Sequence, residues 1–341
     1  MNYAVEAEGL QCDKGSFRLG PCSFAVGPRA RVAIVGPSGS GKSTLLRCLA
    51  GLDRANKGVI RVHGQVVRDD HGAMSPDRRG LGFVFQDGAL WPHMTASQHL
   101  RFAAPGLSQE QSCAMLSRGG IGHVADRRPA EMSGGEAQRL GLMRALAAEP
   151  RVLLLDEPLR SVDVHQRDAL VLLVRELADE RGIATILVTH DRDEALALAD
   201  EILVMHGGRI VEHGPATTLL QSPGTAFAAA FLGGAACLPV DASRDGFVAT
   251  AFGETNARGE AKMLRLVLMP GDLIAVPPSG DGPRARAIAS VPHEDGYRIR
   301  AALLGQIVLA QAATCIRPGE EVELRLRRPL RVLPWTTANA Q

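Results

Sequence analysis

The sequence predicts an α/β domain followed by a small all-β domain. Residues 152–155 and 184–188 are fully apolar runs, typical of parallel strands that are covered on both faces. Between them, residues 168–180 carry apolar side chains at helical spacing, which predicts the crossover helix that joins two parallel strands. From about Leu238 onward, short strand patterns alternate with turns, which predicts a compact β-barrel of the oligomer-binding (OB) type.

The same patterns predict how the chain is divided. We expect a first domain over residues 1–235 and a C-terminal β-barrel domain over residues 236–341. Within the first domain, strand patterns disappear between about residues 95 and 130, which predicts a small helical subdomain there.

Charge and cysteine usage narrow the class of protein. The 341 residues include 38 Lys and Arg against 37 Asp and Glu, so no strong overall field favours a nucleic-acid partner. The six cysteines contain no C-x-x-C pair, which favours reduced thiols in a cytosolic protein over disulfides or a zinc site. We expect no nucleic acid among the partners.

Neither a secretory signal nor a membrane-spanning helix is expected. The N-terminus lacks a basic segment followed by an apolar core. No apolar stretch reaches the ~18 residues that cross a bilayer. The nearest candidate, residues 226–240, is rich in Ala and Gly and contains Pro239, which favours a domain junction. A role at a membrane would therefore require a partner that crosses it.

Residues 36–44 match the phosphate-binding pattern G-x-x-x-x-G-K-[ST] at every fixed position. A predicted strand at residues 31–35 and a predicted helix from residue 44 supply the required context. Backbone N–H groups of such a loop surround phosphate oxygens at a helix N-terminus. We expect Lys42 to reach the β- and γ-phosphates of a nucleoside triphosphate and Ser43 to ligate Mg²⁺. The predicted nucleotide-binding residues of the loop are Gly36, Pro37, Ser38, Gly39, Ser40, Gly41, Lys42, Ser43 and Thr44.

Two carboxylates, Asp156 and Glu157, end the apolar run of residues 152–155. Groups at the carboxyl ends of parallel strands face the ligand crevice of an open α/β sheet. We expect Asp156 to help hold Mg²⁺ and Glu157 to orient and activate the attacking water. Taken alone, such a pair is usually a solvated strand end; downstream of a complete phosphate loop it favours catalysis.

Ser133, Gly134 and Gly135 precede a predicted helix over residues 140–148. A Ser hydroxyl and two glycines at a helix start can offer donors to an anion. Without the other motifs, an ordinary helix N-cap would be the preferred interpretation.

Together these motifs resemble the ATP-binding cassette (ABC) ATPases. The family signature Leu-Ser-Gly-Gly-Gln is matched by residues 132–136 with two substitutions, and the resemblance extends over essentially the whole chain. It implies a catalytic set of Lys42, Glu157, His190 and Gln86. In that set Gln86 senses Mg²⁺ as a ligand and His190 contacts the γ-phosphate. It also implies that Asp163 communicates across a dimer.

The resemblance further implies a homodimer. In this family the signature of one subunit closes over the phosphate loop of the other, and this chain carries one of each. Two composite sites would then bind ATP and Mg²⁺, and Ser133, Gly134 and Gly135 would complete the site of the second ATPase subunit. The C-terminal barrel resembles the regulatory (TOBE-like) module of the family.

The sequence departs from the family pattern at three places. Lys14-Gly15 stands where an aromatic residue normally stacks on adenine, with Phe17 or Tyr3 nearby. Arg160 stands where a small residue usually begins the loop that contains Asp163. The stretch from Gln86 to Ser133 is several residues shorter than usual, which affects the surface that faces a membrane partner.

Two further segments, residues 86–95 and 188–200, are similar to the importer branch of the family. The residue patterns at 231–239 and 268–272 look most like those of its ferric-iron subgroup. Importers of polyamine, sulfate, thiamine or phosphonate share the same arrangement of a cassette followed by a β domain. The resemblance implies transmembrane permease subunits as partners and, indirectly, a periplasmic or extracellular solute-binding protein. It places the chain on the cytoplasmic face of the inner membrane, held there through the permease. The alternative of another class is a soluble ABC ATPase that acts on nucleic acid or the ribosome. Separately, the basic strand at residues 324–328 could suggest RNA binding by the barrel, but few aromatic residues accompany it, which favours a solvated strand face.

Overall fold

A computed structural model describes residues 3–160, 162, 164–241, 247–257 and 263–335, with side chains omitted at 164 and 165. Two compact units divide the chain, Met1–Ala216 and Thr217–Gln341. The predicted domain boundary after residue 235 stays a prediction. In the described part of the chain, no helix is both long and apolar enough to cross a bilayer.

The first unit is built from strands and helices in alternation. Its strands are β1 (Val5–Lys14), β2 (Phe17–Val26), β3 (Arg31–Val35), β4 (Lys57–Val62), β5 (Gln65–Arg68), β6 (Leu81–Val84), β7 (Val152–Asp156), β8 (Ala184–Thr189), β9 (Glu201–His206) and β10 (Arg209–Pro215). Its helices are α1 (Lys42–Ala50), α2 (Ala96–Ala103), α3 (Gln109–Arg118), α4 (Gly134–Ala147), α5 (Val164–Arg181) and α6 (Arg192–Leu198). The predicted α/β class is confirmed.

A six-stranded sheet in the order β10-β9-β3-β8-β7-β6 forms the centre of this unit. Strands β9, β3, β8, β7 and β6 run parallel, and β10 is an antiparallel edge. Every residue of β7 and β8 is buried, as their apolar sequences predict. A second sheet, in the order β2-β1-β4-β5, shares a hydrophobic core with the first.

The segment between residues 95 and 131 contains α2, α3 and two short 3-10 helices, Gly122–Val124 and Pro129–Glu131, and no strand. Both α2 and α3 have a capping box at their N-terminus. Thr95 pairs with Gln98 at the start of α2, and Ser108 pairs with Gln111 at the start of α3. The helical segment expected there is therefore present.

The second unit begins with two short helices and continues as strands. The helices are α7 (Ala216–Gln221) and α8 (Ala226–Gly233), and the described strands are β11 (Ala236–Pro239), β12 (Phe247–Thr250), β13 (Gly253–Asn256), β14 (Leu264–Leu268), β15 (Leu273–Val276), β16 (Arg284–His293), β17 (Gly296–Leu303), β18 (Gln306–Ala312), β19 (Glu321–Leu326) and β20 (Arg331–Pro334). Strands β15, β18, β17, β16 and β19 close into a barrel. Inward-facing apolar residues such as Ile299 and Val308 fill it, so the predicted OB-like barrel is confirmed.

Glu323 of β19 makes barrel stability sensitive to acid. Its carboxylate is 2 % exposed and accepts hydrogen bonds from the backbone N–H groups of Ser279 (2.9 Å) and Gly280 (2.6 Å) and from Arg325 Nε (2.8 Å). These bonds, that of Ser279 first, lower the pKa of Glu323 to about 2.

In the unfolded chain the pKa of Glu323 returns to about 4.3, so unfolding binds a proton as the pH falls. The stabilisation is complete above about pH 5 and is lost as the pH falls towards about 2. We expect Glu323→Gln to flatten the fall in the free energy of unfolding in this window. Urea unfolding followed by Trp335 fluorescence in a Trp91→Phe background measures it, since the chain has two tryptophans. The exposed Glu254→Gln is the control; equal slopes in both variants would contradict the assignment.

Candidate functional site

Four neighbouring strands present the candidate residues at one edge of the central sheet. Val35, the last residue of β3, is paired with Thr189 of β8, and Val188 of β8 is paired with Asp156 of β7. Val84, the last residue of β6, is paired with Leu155 of β7. The residues that follow these strand ends are therefore brought together: the phosphate loop, His190, Glu157 and Gln86.

The phosphate loop joins β3 to the N-terminus of α1. Gly36 has φ +154°, and a Cβ there would overlap the carbonyl oxygen of Met205, so only glycine fits. Gly41, in the left-handed region at φ 99°, is the residue before α1. Ser40 Oγ is buried and makes no hydrogen bond within the described residues. The loop thus offers a helix N-terminus and an unpaired hydroxyl to an anion.

Lys42 is buried at the base of this loop. It is 6 % exposed, and its Nζ donates to the carbonyl oxygens of Gly36 (2.8 Å) and Pro37 (3.0 Å). Burial lowers the pKa of Lys42, while the nearby carboxylates of Glu157 and Asp156 act in the opposite direction. A buried ammonium held by carbonyl groups is positioned to exchange these partners for phosphate oxygens.

Ser43 and Asp156 are in direct contact. Ser43 Oγ donates to Asp156 Oδ1 at 2.8 Å, although 113 residues separate them in the chain. Burial raises the pKa of Asp156, and the Ser43 hydrogen bond partly offsets this. A hydroxyl and a carboxylate oxygen are hard ligands of the kind that Mg²⁺ prefers. With a single carboxylate in this pair, the remaining coordination positions would fall to other oxygen ligands, such as a side-chain amide, phosphate oxygens and water.

Glu157 is held in a fixed backbone conformation. Its φ is 45°, in the left-handed region, and its N–H donates to Val188 O at 2.9 Å. Its side chain is 14 % exposed and lies between the imidazole of His190 and the guanidinium of Arg160. Glu157 Oε1 is 3.1 Å from His190 Nδ1, and Arg160 Nη1 donates to Oε2 at 3.3 Å. The carboxylate is thereby aimed into a cavity.

The cavity has a volume of about 320 Å³. It is lined by Ser38, Glu157, Arg160, Arg167, Thr189, His190, Asp191 and Glu194. Ser38 belongs to the phosphate loop, so the cavity joins the loop to the end of β7. A phosphate group and a water molecule fit in such a volume next to Glu157.

Gln86 is half-buried in the turn that follows β6. Side chains that the sequence did not single out hold the residues after it. Arg144 of α4 donates to the carbonyl oxygens of Gly88 (3.0 Å) and Ala89 (2.5 Å), and His99 Nε2 accepts from the backbone N–H of Trp91 at 2.9 Å. A buried cation and histidine on amphipathic helices carry no distinctive sequence signal, so they could not be predicted.

Ser133 caps α4 rather than meeting the phosphate loop of its own chain. Its Oγ accepts from the N–H of Glu136, and Glu136 Oε2 accepts from the Ser133 N–H at 2.7 Å. Helix α4 therefore begins at Gly134, six residues before the predicted start at residue 140. Within the described residues of one chain, the side-chain bonds of Ser133 go to Glu136.

Three predicted positions remain: Asp163 in the dimer-contact loop, and Lys14 and Phe17 near the expected adenine site. Asp163 lies outside the described residues. Lys14 forms an ion pair with Asp53 at 2.9 Å, whereas Phe17 approaches the phosphate loop: a Cβ on Gly41 would lie 2.7 Å from Phe17 Cζ. Of the aromatic candidates, Phe17 therefore packs against the loop.

Comparison with known proteins agrees with this geometry. A family model described as ABC transporter matches residues 19–160. The Fe(3+) ions import ATP-binding protein FbpC of Pseudomonas fluorescens is 40% identical over 266 residues, which cover 76% of this chain and 75% of the relative. The chain belongs to the ABC transporter ATPases.

Other relatives of this ABC ATPase are also import proteins. The sulfate/thiosulfate import ATP-binding protein CysA of Mycobacterium bovis is 40% identical over 245 residues, covering 70% of this chain and 69% of that one. The predicted importer branch is therefore confirmed.

Two solved structures share the cassette fold. One is a dimeric post-hydrolysis state of the ATP-binding cassette MJ0796 bound to ADP and Pi, with TM-score 0.55 and 26% identity over 62% of this chain and 98% of that one. The other, cbiO1 from Clostridium perfringens, part of the ABC transporter complex cbiONQ, has TM-score 0.57 and 26% identity over 65% and 93%. The protein binds and hydrolyses ATP as the energy-coupling subunit of an importer, and permease subunits are its partners.

Proposed function

We propose that the edge of the central sheet described above is the hydrolytic half of the ATP site. The observation that carries this proposal is that the Ser43–Asp156 hydrogen bond joins the phosphate loop to the end of β7, where Glu157 lines a cavity together with Ser38 of the loop. The loop N–H groups and Lys42 bind the phosphates of ATP. Ser43, Asp156 and Gln86 hold Mg²⁺, which when bound neutralises charge on the phosphate oxygens.

In this proposal Glu157 is the general base, and His190, which lies next to it, contacts the γ-phosphate. A carboxylate in hydrogen-bond reach of a water in the cavity can accept its proton as the oxygen attacks phosphorus. The backbone hydrogen bond from Glu157 to Val188 O fixes the position from which this side chain extends. The 3.1 Å contact with His190 Nδ1 orients the carboxylate further.

The signature completes the site from a second subunit. Ser133, Gly134 and Gly135 lie at the start of α4, and within the part of the chain that the structure describes the side-chain hydrogen bonds of Ser133 go to Glu136. A homodimer that places this helix start over the ATP of its partner supplies the missing anion donors.

For the transported solute we propose ferric iron. The support is the resemblance of residues 231–239 to the ferric-iron subgroup and the FbpC relative, while the equally similar CysA relative makes sulfate the alternative. A periplasmic or extracellular solute-binding protein would deliver the solute to the permease. The chain would then sit at the cytoplasmic face of the inner membrane.

Uptake measurements distinguish these solutes. In a strain from which the gene is deleted, we expect uptake of radioactive ferric iron to fall to background while sulfate uptake is unchanged. Plasmid-borne wild-type protein should restore iron uptake and the Glu157→Gln variant should not, because transport requires ATP turnover. Loss of sulfate uptake with normal iron uptake would overturn the proposed solute and leave the ATP site untouched.

A further inference from the structure

Arg160 places a guanidinium against the catalytic carboxylate. Its Nη1 lies 3.3 Å from Glu157 Oε2, and its own N–H donates to Glu157 O at 3.3 Å. We propose that Arg160 is a positioning residue that restrains Glu157 in the isolated subunit, also when ATP is bound, and so lowers its basal rate of ATP hydrolysis. The inference rests on the proposed role of Glu157 as the general base.

The contact occupies the part of Glu157 that catalysis needs. The carboxylate lines the cavity, and its two oxygens are already engaged by His190 and Arg160. A donor on Oε2 competes with the attacking water for the same lone pairs. Release of Arg160 therefore frees an acceptor.

The other cations near the cavity have partners of their own. Arg167 lies 3.5 Å from Asp191 and 4.0 Å from Glu194 and donates to Val162 O, and Lys42 donates to the loop carbonyls. Among the described residues that line the cavity, Arg160 is the guanidinium that contacts Glu157.

The cavity also shows what can release the contact. Ser38 of the phosphate loop and Arg160 line the same space, and the Arg160 side chain is 57% exposed and so free to turn. A γ-phosphate bound by the loop would offer the guanidinium a second anionic partner, and arginine pairs readily with phosphate. ATP binding would in this way weaken the contact without abolishing it, so that part of the restraint on Glu157 still acts in the ATP-bound subunit whose kcat is measured.

The expected effect is modest. An ion pair with an exposed arginine contributes at most about 1 kcal/mol, which corresponds to roughly a fivefold change in rate. We expect Arg160→Ala and Arg160→Gln to raise the basal kcat of the purified subunit about two- to fivefold with KM for ATP unchanged. Arg160→Lys, which keeps the charge, should stay close to wild type.

The test measures steady-state ATP hydrolysis by the full-length subunit without permease. Arg118→Ala is the matched control, since Arg118 forms an exposed ion pair with Glu180 outside the cavity. Thermal melting of each variant verifies that it is folded. An unchanged or lower kcat in both Arg160→Ala and Arg160→Gln would overturn the proposal.

A double variant separates this proposal from the one it rests on. If Glu157 is the base, Arg160→Ala with Glu157→Gln should be as inactive as Glu157→Gln alone. An increase that persists in the Glu157→Gln background would show that Arg160 acts elsewhere. Near-normal hydrolysis by Glu157→Gln alone would instead remove the assigned base.

Discussion

Replacing Glu157 with glutamine is expected to reduce ATP hydrolysis by at least about a hundredfold while ATP binding is retained. The amide has nearly the same shape and can still accept hydrogen bonds, but it cannot take a proton from water. Because the binding groups are the loop N–H groups, Lys42 and Ser43, the affinity for ATP should change little. Phosphate release at saturating ATP measures the first quantity and calorimetric titration with ATP the second.

The control is the equivalent change at an exposed position, Glu176→Gln on α5, which should hydrolyse ATP at the wild-type rate. Its purpose is to show that loss of one carboxylate does not disturb the fold. Hydrolysis within about threefold of wild type in Glu157→Gln would reject Glu157 as the principal base, because general base catalysis contributes far more than this.

Mixing two inactive variants is expected to restore hydrolysis. Lys42→Ala removes the buried ammonium from the phosphate loop, and Ser133→Arg fills the helix start of the signature, so each homodimer loses both sites. A mixed dimer combines both defects in one composite site and leaves the other site intact. If the two sites act independently, an equimolar mixture should recover up to about a quarter of the wild-type rate.

A second mixture provides the control. Lys42→Ala and Glu157→Gln both damage the half of the site that one chain supplies, so their mixed dimers contain no intact site and should stay inactive. Recovery in this control, or none with Lys42→Ala and Ser133→Arg, would contradict an ATP site shared between two subunits.

The sequence predicted the parts of the site that lie within short segments. The phosphate loop could be recognised because its anion donors are backbone N–H groups and side chains a few residues apart, framed by a strand and a helix. Asp156 and Glu157 could be placed at a strand end for the same reason. The start of α4 was predicted too late, since the capping box formed by Ser133 and Glu136 adds a turn before the apolar positions begin.

Contacts between distant segments could not be predicted. The packing of Phe17 against Gly41 depends on how β2 meets the loop. Arg160 and Glu157 are only three residues apart, but their pairing depends on the left-handed conformation of Glu157 at the end of β7. Nothing in the local residue pattern indicates either. The same is true of Arg144 and His99, whose partners are carbonyl and N–H groups of the segment after Gln86.

The sequence by itself determined the fold class, the phosphate loop and the types of chemical group available, because apolar periodicity and contiguous motifs are local properties of the chain. Only the tertiary structure decided which of those groups touch. The left-handed backbone of Glu157 sets Arg160, three residues further on, against its carboxylate. Strand order brings Ser43 to Asp156 and His190 to Glu157. Such contacts depend on distances in space that spacing along the chain does not specify.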